Sequence, residues 1–333
     1  MAMTRTVRVA AVQAAPAFLD REATAKKAAE AIRAAGARGA ELVVLPEAFI
    51  PCYPTWVWFA DALSAAPELY VRLCEQAVER GDDTIAELQQ AARDAGALVA
   101  CGLNERDGGS LYNTQVLIGA DGEVLGYRRK LMPTAAERLV WGRGDARDVR
   151  VFDTPLGRVG ALICYEHAMT ALRGALIGLG EEIHVAMWPA MPREGDLAST
   201  GIVEVSMRNH AWEAQAFVVH ASVWQDEAFT RSLLDALGRE EAAGLARAMA
   251  AQAAGMTGVV GPTGRHLAGP AGPGEEIVVA DLDPSLRLRA KYMVDGAGHY
   301  TRPDAVGIAV RDPAPPLVSR GDPEGGAGSR PRG

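Results

Sequence analysis

Short apolar runs alternate with longer stretches of mixed polarity through the first third of the chain. Three runs are too short for helices and rich in valine, leucine and alanine, which predicts buried strands at Val7 to Val12, Leu42 to Leu45 and Ala97 to Cys101. The alanine-rich stretch Arg21 to Ala37 follows a capping residue, Asp20, and predicts a helix, as does Thr84 to Asp94. Strands therefore alternate with helices, as in a layered α/β domain.

The same alternation returns in the second half of the chain. Four further strands are predicted, at Ile183 to Met187, Phe217 to His220, Gly258 to Val260 and Ile277 to Ala280. Gly201 to Ala214 predicts a helix, and Glu227 to Met256, rich in alanine and charged residues, is also expected to be mostly helical. Because no linker interrupts the pattern, we expect one large α/β domain over residues 1–310.

One apolar run ends in a thiol and then turns polar at once. Val159 to Ile163 predicts a core strand, Cys164 follows it, and the stretch Ala168 to Leu179 predicts a helix. A thiol between a strand and a helix N-terminus is placed as a nucleophile, because the helix dipole favours the thiolate. The alternative is that Cys164 is an inert core cysteine, since free cysteine is among the most buried residue types.

Two other strands also end in a charged residue. Glu47 follows the run Leu42 to Leu45 and a proline, and Lys130 closes a strand that follows the Asp121-Gly122 turn signal. Each of these charges alone is more simply explained as a solvated surface group. Together with Cys164 they supply a base, an electrostatic stabiliser and a nucleophile for attack on a carbon-nitrogen multiple bond.

With these residues the chain resembles the nitrilase superfamily, whose Glu-Lys-Cys triad matches Glu47, Lys130 and Cys164 in order and context. The stretch RRKLMPTAAERLVWGRGD is similar to the segment around the lysine of true nitrilases, and within it Glu137 matches a second glutamate of that site. Further similar segments are LPEAFIPCYP, CYEH, GEEIHVAMWP and GHYTRPD. The resemblance covers the chain from about Arg8 to about Val310.

The resemblance implies a four-layer αββα sandwich and a nitrilase that converts an organic nitrile into a carboxylic acid and ammonia. It implies no metal and no cofactor, and homodimers that assemble into larger homo-oligomers by stacking helices. The chain departs from the family at Tyr165, where tryptophan is usual, and at Cys52, where glycine is common. Both departures concern the choice of substrate.

Four residues are expected to bind substrate: Tyr53, Tyr165, His167 and Trp188. Tyr53 belongs to an aromatic cluster whose other rings, Trp56, Trp58 and Phe59, could equally pack in a core or at a subunit interface. His167 is close to the nucleophile, and we expect it to orient Glu166 or the loop rather than to act as the base. The other five histidines are expected to be structural.

Composition excludes several other classes of function. The net charge is −8 and the basic residues are dispersed, which argues against nucleic acid as a partner. No apolar run is long enough to span a membrane and no signal peptide is recognised, so a cytoplasmic location is expected. The four cysteines form no CxxC pair, which argues against zinc sites and disulfides. Residues 311–333 are rich in proline, glycine and charge and predict a disordered tail.

Three alternative functions remain open at this point. The same triad would serve an amidase or carbamoylase of the superfamily, or an enzyme that hydrolyses cyanide. A third alternative is a non-catalytic protein that uses the fold as a scaffold. The sequence does not name the natural nitrile, the stereoselectivity, the fraction of amide by-product or the size of the oligomer.

Overall fold

The computed structural model describes residues 2–190, 200–237 and 256–311, and the strands in this part of the chain form two six-stranded sheets. The first sheet contains, in spatial order, β12 (Glu276–Leu282), β1 (Val7–Gln13), β2 (Leu42–Val44), β3 (Leu98–Asp107), β4 (Ser110–Ile118) and β5 (Val124–Arg129). Strands β1, β2 and β3 are parallel, whereas β4 is antiparallel to both of its neighbours. The carboxyl ends of β2 and β5 therefore lie at the same edge.

The second sheet has the same number of strands and a parallel centre. Its spatial order is β11 (His266–Ala268), β10 (Gly258–Val260), β9 (Phe217–Ser222), β8 (Ile183–Trp188), β7 (Gly157–Ile163) and β6 (Val151–Thr154). Strands β7, β8 and β9 run parallel, while β6 and β10 pair antiparallel at either side of them. The parallel centre brings the ends of β7 and β8 to one edge.

The helices of the described ranges are α1 (Arg21–Gly36), α2 (Ala65–Gln76), α3 (Asp83–Ala95), α4 (Thr170–Gly178), α5 (Thr200–Ala214), α6 (Glu227–Ala236) and α7 (Pro284–Met293). Helices α1 and α3 cover the outer face of the first sheet, α4 and α5 cover that of the second, and α2 packs with α6 in a separate apolar cluster. The predicted cap of α1 is confirmed, because the Asp20 carboxylate accepts a hydrogen bond of 2.9 Å from the amide of Ala23. No helix in the described ranges is long and apolar enough to cross a membrane.

The side-chain alternation of the strands builds the layers. In β1, Val9 and Ala11 face the second sheet and pack with residues of β7, β8 and β9, whereas Ala10 and Val12 face α1 and α3. On the far side of the second sheet, Ala186 packs under α5. The order of layers is helices, sheet, sheet, helices, which confirms the αββα sandwich.

All the predicted strands are present, but several elements were missed. These are helices α2 and α7 and strands β4, β6 and β11; neither α7 nor β11 has a buried residue that a hydrophobic pattern could reveal. The helix predicted from Ala168 begins at Thr170, after a separate 3₁₀ turn. Of the helix predicted over Glu227 to Met256, α6 is observed and residues 238–255 lie outside the described part. Nearly all of the predicted tail, residues 312–333, lies outside it as well.

Candidate active site

Three strand ends place the predicted triad together at one side of the sandwich. Glu47 follows β2, Lys130 comes directly after β5, and Cys164 comes directly after β7. The first two strands belong to one sheet and β7 to the other, so the group spans the space between the sheets. Glu47 and Lys130 are fully buried and Cys164 is 2% exposed. The alternative of solvated surface charges is therefore wrong for Glu47 and Lys130.

Lys130 lies between two carboxylates. Its Nζ donates a hydrogen bond of 2.8 Å to Glu47 Oε1 and another of 2.8 Å to Glu137 Oε2. Burial alone would lower the pKa of Lys130, but the negative charges of Glu47 and Glu137 overcome this effect and raise it above its ordinary value. Lys130 is therefore a permanent cation at the centre of the group.

Glu47 has one oxygen engaged and one oxygen free. Oε1 accepts hydrogen bonds from Lys130 and, at 2.7 Å, from Nδ2 of Asn113 in β4. Oε2 has no hydrogen-bond partner among the described residues. Burial raises the pKa of Glu47 to about 7, a rise that the nearby Lys130 limits and the charge of Glu137 strengthens. A carboxylate with a pKa near neutrality and a free oxygen is suited to accept a proton.

The loop that carries Glu47 requires close approach to β3. Ala48 has a φ of 43°, in the left-handed region that non-glycine residues rarely adopt. Next to it, Gly102 has no side chain, and a Cβ at this position would lie 2.2 Å from Pro46 O. The glycine therefore allows the backbone before Glu47 to lie directly on the sheet.

Cys164 is strained and poorly ionised. Its φ of 51° is also left-handed, a conformation that costs a non-glycine residue about 1–3 kcal/mol unless its surroundings hold it. Burial, with the negative charge of Glu47 second, raises the pKa of the thiol well above its ordinary value. The predicted preference for the thiolate at a helix N-terminus is wrong, because Cys164 begins the 3₁₀ turn Cys164–Ala168 and the burial effect dominates.

A buried ion pair ties the Lys130 strand to the Cys164 turn. The Arg128 guanidinium donates to both oxygens of the Glu166 carboxylate, at 2.7 and 2.8 Å, and both side chains are fully buried. The same carboxylate accepts the amides of Ile163 and Leu131, each adjacent to a triad residue. One carboxylate therefore fixes the backbone beside Cys164 and beside Lys130 at the same time.

Tyr53 contacts the second glutamate. Its hydroxyl donates a hydrogen bond of 2.8 Å to Glu137 Oε1 and accepts one of 3.0 Å from Trp58 Nε1. The other Glu137 oxygen accepts the amide of Thr134 as well as Lys130, which completes a capping box around a 3₁₀ turn. Glu137 therefore accepts hydrogen bonds from three donors, Tyr53, Lys130 and Thr134. Tyr53 belongs to the same hydrogen-bonded group as Lys130.

The other three predicted substrate-binding residues form one aromatic group. Tyr165 is half-buried, and its ring meets Trp188 edge to face at 6.4 Å. Trp188, at the end of β8, is fully buried and stacks on His167 at 5.2 Å. His167 donates from Nδ1 to Cys164 O (2.7 Å), and its Nε2 shares a hydrogen bond with Nε2 of His184 (2.9 Å). A hydrogen bond from His167 to substrate would require one of these contacts to break.

A group of buried side chains near His167 resembles a metal site in composition. Ligand atoms of Glu181, His184 and His210 lie within 4.8 Å of one another. However, the carboxylate oxygens are 2.8 Å from His184 Nδ1 and 2.6 Å from His210 Nε2. Two ligands of a tetrahedral zinc ion are about 3.4 Å apart at normal bond lengths. The two observed distances, 2.8 and 2.6 Å, are shorter than this and are those of hydrogen bonds.

Sequence reasoning missed Asn113, Arg128 and Glu166 as parts of this site. Asn113 was hidden in a strand that was not predicted, and Arg128 was read only as part of a basic cluster. The sequence did contain a signal for this pair, because Arg128 lies two residues before Lys130 and Glu166 lies two residues after Cys164.

A surface pocket on α5, lined in part by Glu204, Arg208 and Trp212, shares no residue with the site.

Comparison with known proteins places the chain in a family. The family model for carbon-nitrogen hydrolases matches residues 8–292. The chain is 38% identical to a nitrilase of Paraburkholderia phymatum, covering 96% of this chain and 91% of that protein. It is also 38% identical to an aliphatic nitrilase of Rhodococcus rhodochrous, covering 92% of this chain and 82% of that protein.

A solved structure has the same fold. Nit3 of Saccharomyces cerevisiae, a member of branch 10 of the nitrilase superfamily, superposes with a TM-score of 0.66 at 21% identity, covering 88% of this chain and 95% of that one. At this identity the likeness concerns the fold alone. With the family match over most of its length and relatives well above 30% identity, the chain belongs to the carbon-nitrogen hydrolase family.

Proposed function

We propose that the protein is a nitrilase that hydrolyses an organic nitrile to the carboxylic acid and ammonia. The observation that carries the proposal is the identity of 38% to nitrilases over more than nine-tenths of the chain. The buried arrangement of Glu47, Lys130 and Cys164 supports it, because it offers a base, a fixed cation and a nucleophile in one water-poor space.

The first chemical step is attack of the Cys164 sulfur on the nitrile carbon. Because the raised pKa of the thiol disfavours a free thiolate, the proton leaves as the carbon-sulfur bond forms. Glu47 accepts this proton, and its pKa of about 7 allows it to do so near neutrality. Lys130 stabilises the negative charge that develops on the nitrile nitrogen, and transfer of the proton from Glu47 to that nitrogen gives a neutral thioimidate and restores the Glu47 carboxylate.

Two water molecules complete the reaction. The first adds to the thioimidate carbon, and loss of ammonia from the tetrahedral species leaves a thioester on Cys164. The second water attacks the thioester, releases the carboxylic acid and returns the proton to the thiol. Glu47 serves as the base for the second water, and Glu137, fixed by Tyr53 and Lys130, positions it. The residues need no cofactor for these steps.

The choice between a nitrilase and an amidase follows from one kinetic comparison. Purified protein is assayed for ammonia and acid with aliphatic nitriles, arylacetonitriles, hydroxynitriles and cyanide, and with the matching amides. We expect equimolar acid and ammonia from at least one organic nitrile and slower turnover of its amide. Faster turnover of the amides would favour the amidase or carbamoylase alternative, and activity on cyanide alone would favour a cyanide-hydrolysing enzyme. Inertness towards the whole panel would favour the scaffold alternative.

We also propose a cytoplasmic enzyme that forms homodimers and larger homo-oligomers. The support for assembly is the exposure of large apolar side chains on α5, where Val205 is 67% and Trp212 is 54% exposed. Light scattering after size exclusion tests the assembly, and a monomer at micromolar concentration would contradict it. We also propose that residues 1–310 form the catalytic domain and that residues 311–333 form a separate tail.

A further inference from the structure

A buried chain of hydrogen bonds runs from the nucleophile to a carboxylate on the far side of β8. His167 Nδ1 lies 2.7 Å from Cys164 O, His167 Nε2 lies 2.9 Å from His184 Nε2, and His184 Nδ1 lies 2.8 Å from Glu181 Oε2. His184 is in β8, and Glu181 precedes that strand. The three side chains His167, His184 and Glu181 are called here the His-Glu chain, and none of them is more than 3% exposed.

The three contacts of the His-Glu chain require three protons. Both of its ends, Cys164 O and an ionised Glu181, can only accept hydrogen bonds. Each neutral imidazole carries one N–H, so His167 and His184 together supply two protons for three contacts. With only two protons, one of the three contacts would bring two acceptor atoms, each with its lone pair towards the other, to within 3 Å. The geometry therefore needs one proton more than an ionised carboxylate and two neutral imidazoles contain.

The neighbouring charges are already paired within their own groups. Arg128 forms its bidentate pair with Glu166, and Arg287 pairs with Glu182 at 3.1 Å while it donates to Glu181 O. His210 donates from Nε2 to Glu181 Oε1, and its Nδ1 has no partner among the described residues. Without the third proton, the His-Glu chain would bury a net charge of −1, which is costly in an apolar interior.

Each histidine considered alone would be neutral. Burial, with the neighbouring His184 second, lowers the pKa of His167 well below its ordinary value, and burial with His210 second lowers that of His184 to about 4. Burial alone would raise the pKa of Glu181, but His184 and His210 overcome this effect and lower it to about 2. Groups in such close contact titrate as a set, so the proton count belongs to the whole chain.

We propose that the His-Glu chain holds a third, shared proton at neutral pH and that this protonated chain is a positioning device for Cys164. The strained φ of Cys164 is then clamped from two sides. Glu166 accepts the amide of Ile163 before it, and the protonated chain donates through His167 to the carbonyl of Cys164 itself. Loss of the proton would break one of the three contacts and so weaken the second clamp.

The substitution Glu181→Gln separates this proposal from a merely structural role. A glutamine can accept from His210 Nε2 through its oxygen and donate to His184 Nδ1 through its amide. Its N–H supplies the third proton permanently, and both chain histidines can remain neutral. Glu181→Leu fills the space and supplies neither function. Glu204→Gln is the matched control, because Glu204 contacts His266 at 2.9 Å outside the His-Glu chain.

The first readout is the melting temperature between pH 4 and pH 10, which needs no substrate. The chain binds its third proton more tightly in the folded state than in the unfolded state, so its contribution to stability is lost as pH rises through the folded transition. Because only the wild-type chain holds a proton that it can release, we expect the melting temperature of wild type relative to Glu181→Gln to fall as pH rises from about 5 and to become constant only above pH 7. A difference that is already constant above pH 5 would overturn the proposal, because the third proton would then be absent at neutrality.

The second readout is kcat, and only this part rests on the proposed function. At pH 7 we expect Glu181→Gln to retain kcat within about threefold of wild type and to lose less activity at alkaline pH. Glu181→Leu should lose more than tenfold in kcat with little change in KM, since Cys164 is misplaced and substrate contacts are kept. Equal impairment of Glu181→Gln and Glu181→Leu would overturn the positioning role. If Glu181→Leu does not fold, the comparison of wild type with Glu181→Gln still decides.

Discussion

The pH dependence of catalysis should report the sharing of Lys130 by two carboxylates. Glu47 must be ionised to accept the Cys164 proton, and its pKa is raised to about 7, so kcat/KM should fall as pH decreases below that value. The charge of Glu137 contributes to the rise. Replacing Glu137 by glutamine removes this charge and should move the acid limb to lower pH.

The size of the shift follows from the contacts at Lys130. Both carboxylate oxygens lie 2.8 Å from Nζ, so they can be no farther apart than twice that distance. Two like charges about 5.6 Å apart repel by about 3 kcal/mol at an effective dielectric constant of 20. This energy corresponds to about 2 pKa units. Relaxation around the new glutamine reduces the effect, so we expect a shift of about 1–2 units.

The assay is kcat/KM for one nitrile across pH 4 to 9 for wild type and Glu137→Gln. The variant should be slower overall, by about 100-fold if Glu137 holds the hydrolytic water. Its loss of rate leaves the position of the limb measurable, because position and amplitude are independent. Glu22→Gln, at an exposed ion pair with Lys26, controls for a general change in charge. An acid limb at the same pH in wild type and Glu137→Gln would refute the shared-cation description.

Three further predictions concern the cation, the aromatic group and the tail. Lys130→Met should lower kcat by about 100-fold or more and also lower the melting temperature, because it leaves two buried carboxylates unpaired. Trp188→Ala should shift the order of preferred nitriles towards bulkier or α-substituted arylacetonitriles, and Tyr165→Trp should also reorder the panel, each by about 1–3 kcal/mol per contact; identical relative rates would remove both from the pocket. Deletion of residues 311–333 should leave kcat and melting temperature nearly unchanged, and a loss of assembly on deletion would contradict that expectation.

Much of the fold could be predicted because its strands are buried on both faces. Continuous apolar runs such as Val7 to Val12 are recognisable in the sequence as buried strands, because the side chains on both faces of the strand pack against other layers. Strand β4 was not predicted, because it carries polar side chains such as Asn113 and Gln115 that are buried by contacts with distant residues. Local patterning contains no signal for such pairing.

The site was predictable in its residue types and only partly in its electrostatics. Strand ends followed by polar residues drew attention to Glu47, Lys130 and Cys164, and the structure shows the three at one side of the sandwich, after strands of two different sheets. The helix dipole led to the wrong direction for the thiol, because the depth of burial decides that pKa and burial depends on both sheets. The role of Glu166 was equally hidden, since its partner Arg128 lies on the other sheet.

The central claim is that Cys164 forms the covalent intermediate with a nitrile. The direct measurement is mass spectrometry of rapidly quenched enzyme and its peptides during turnover of a slow nitrile. We predict a thioimidate or acyl adduct on the peptide that contains Cys164, and no adduct in Cys164→Ala, which should fold and be inactive. Burial raises the pKa of Cys52 and Cys101 to about 12 and also raises that of Cys164, but only Cys164 has the base Glu47 beside it, so Cys52 and Cys101 should remain unmodified. An adduct on another cysteine with Cys164 unmodified, or turnover by Cys164→Ala, would contradict the mechanism.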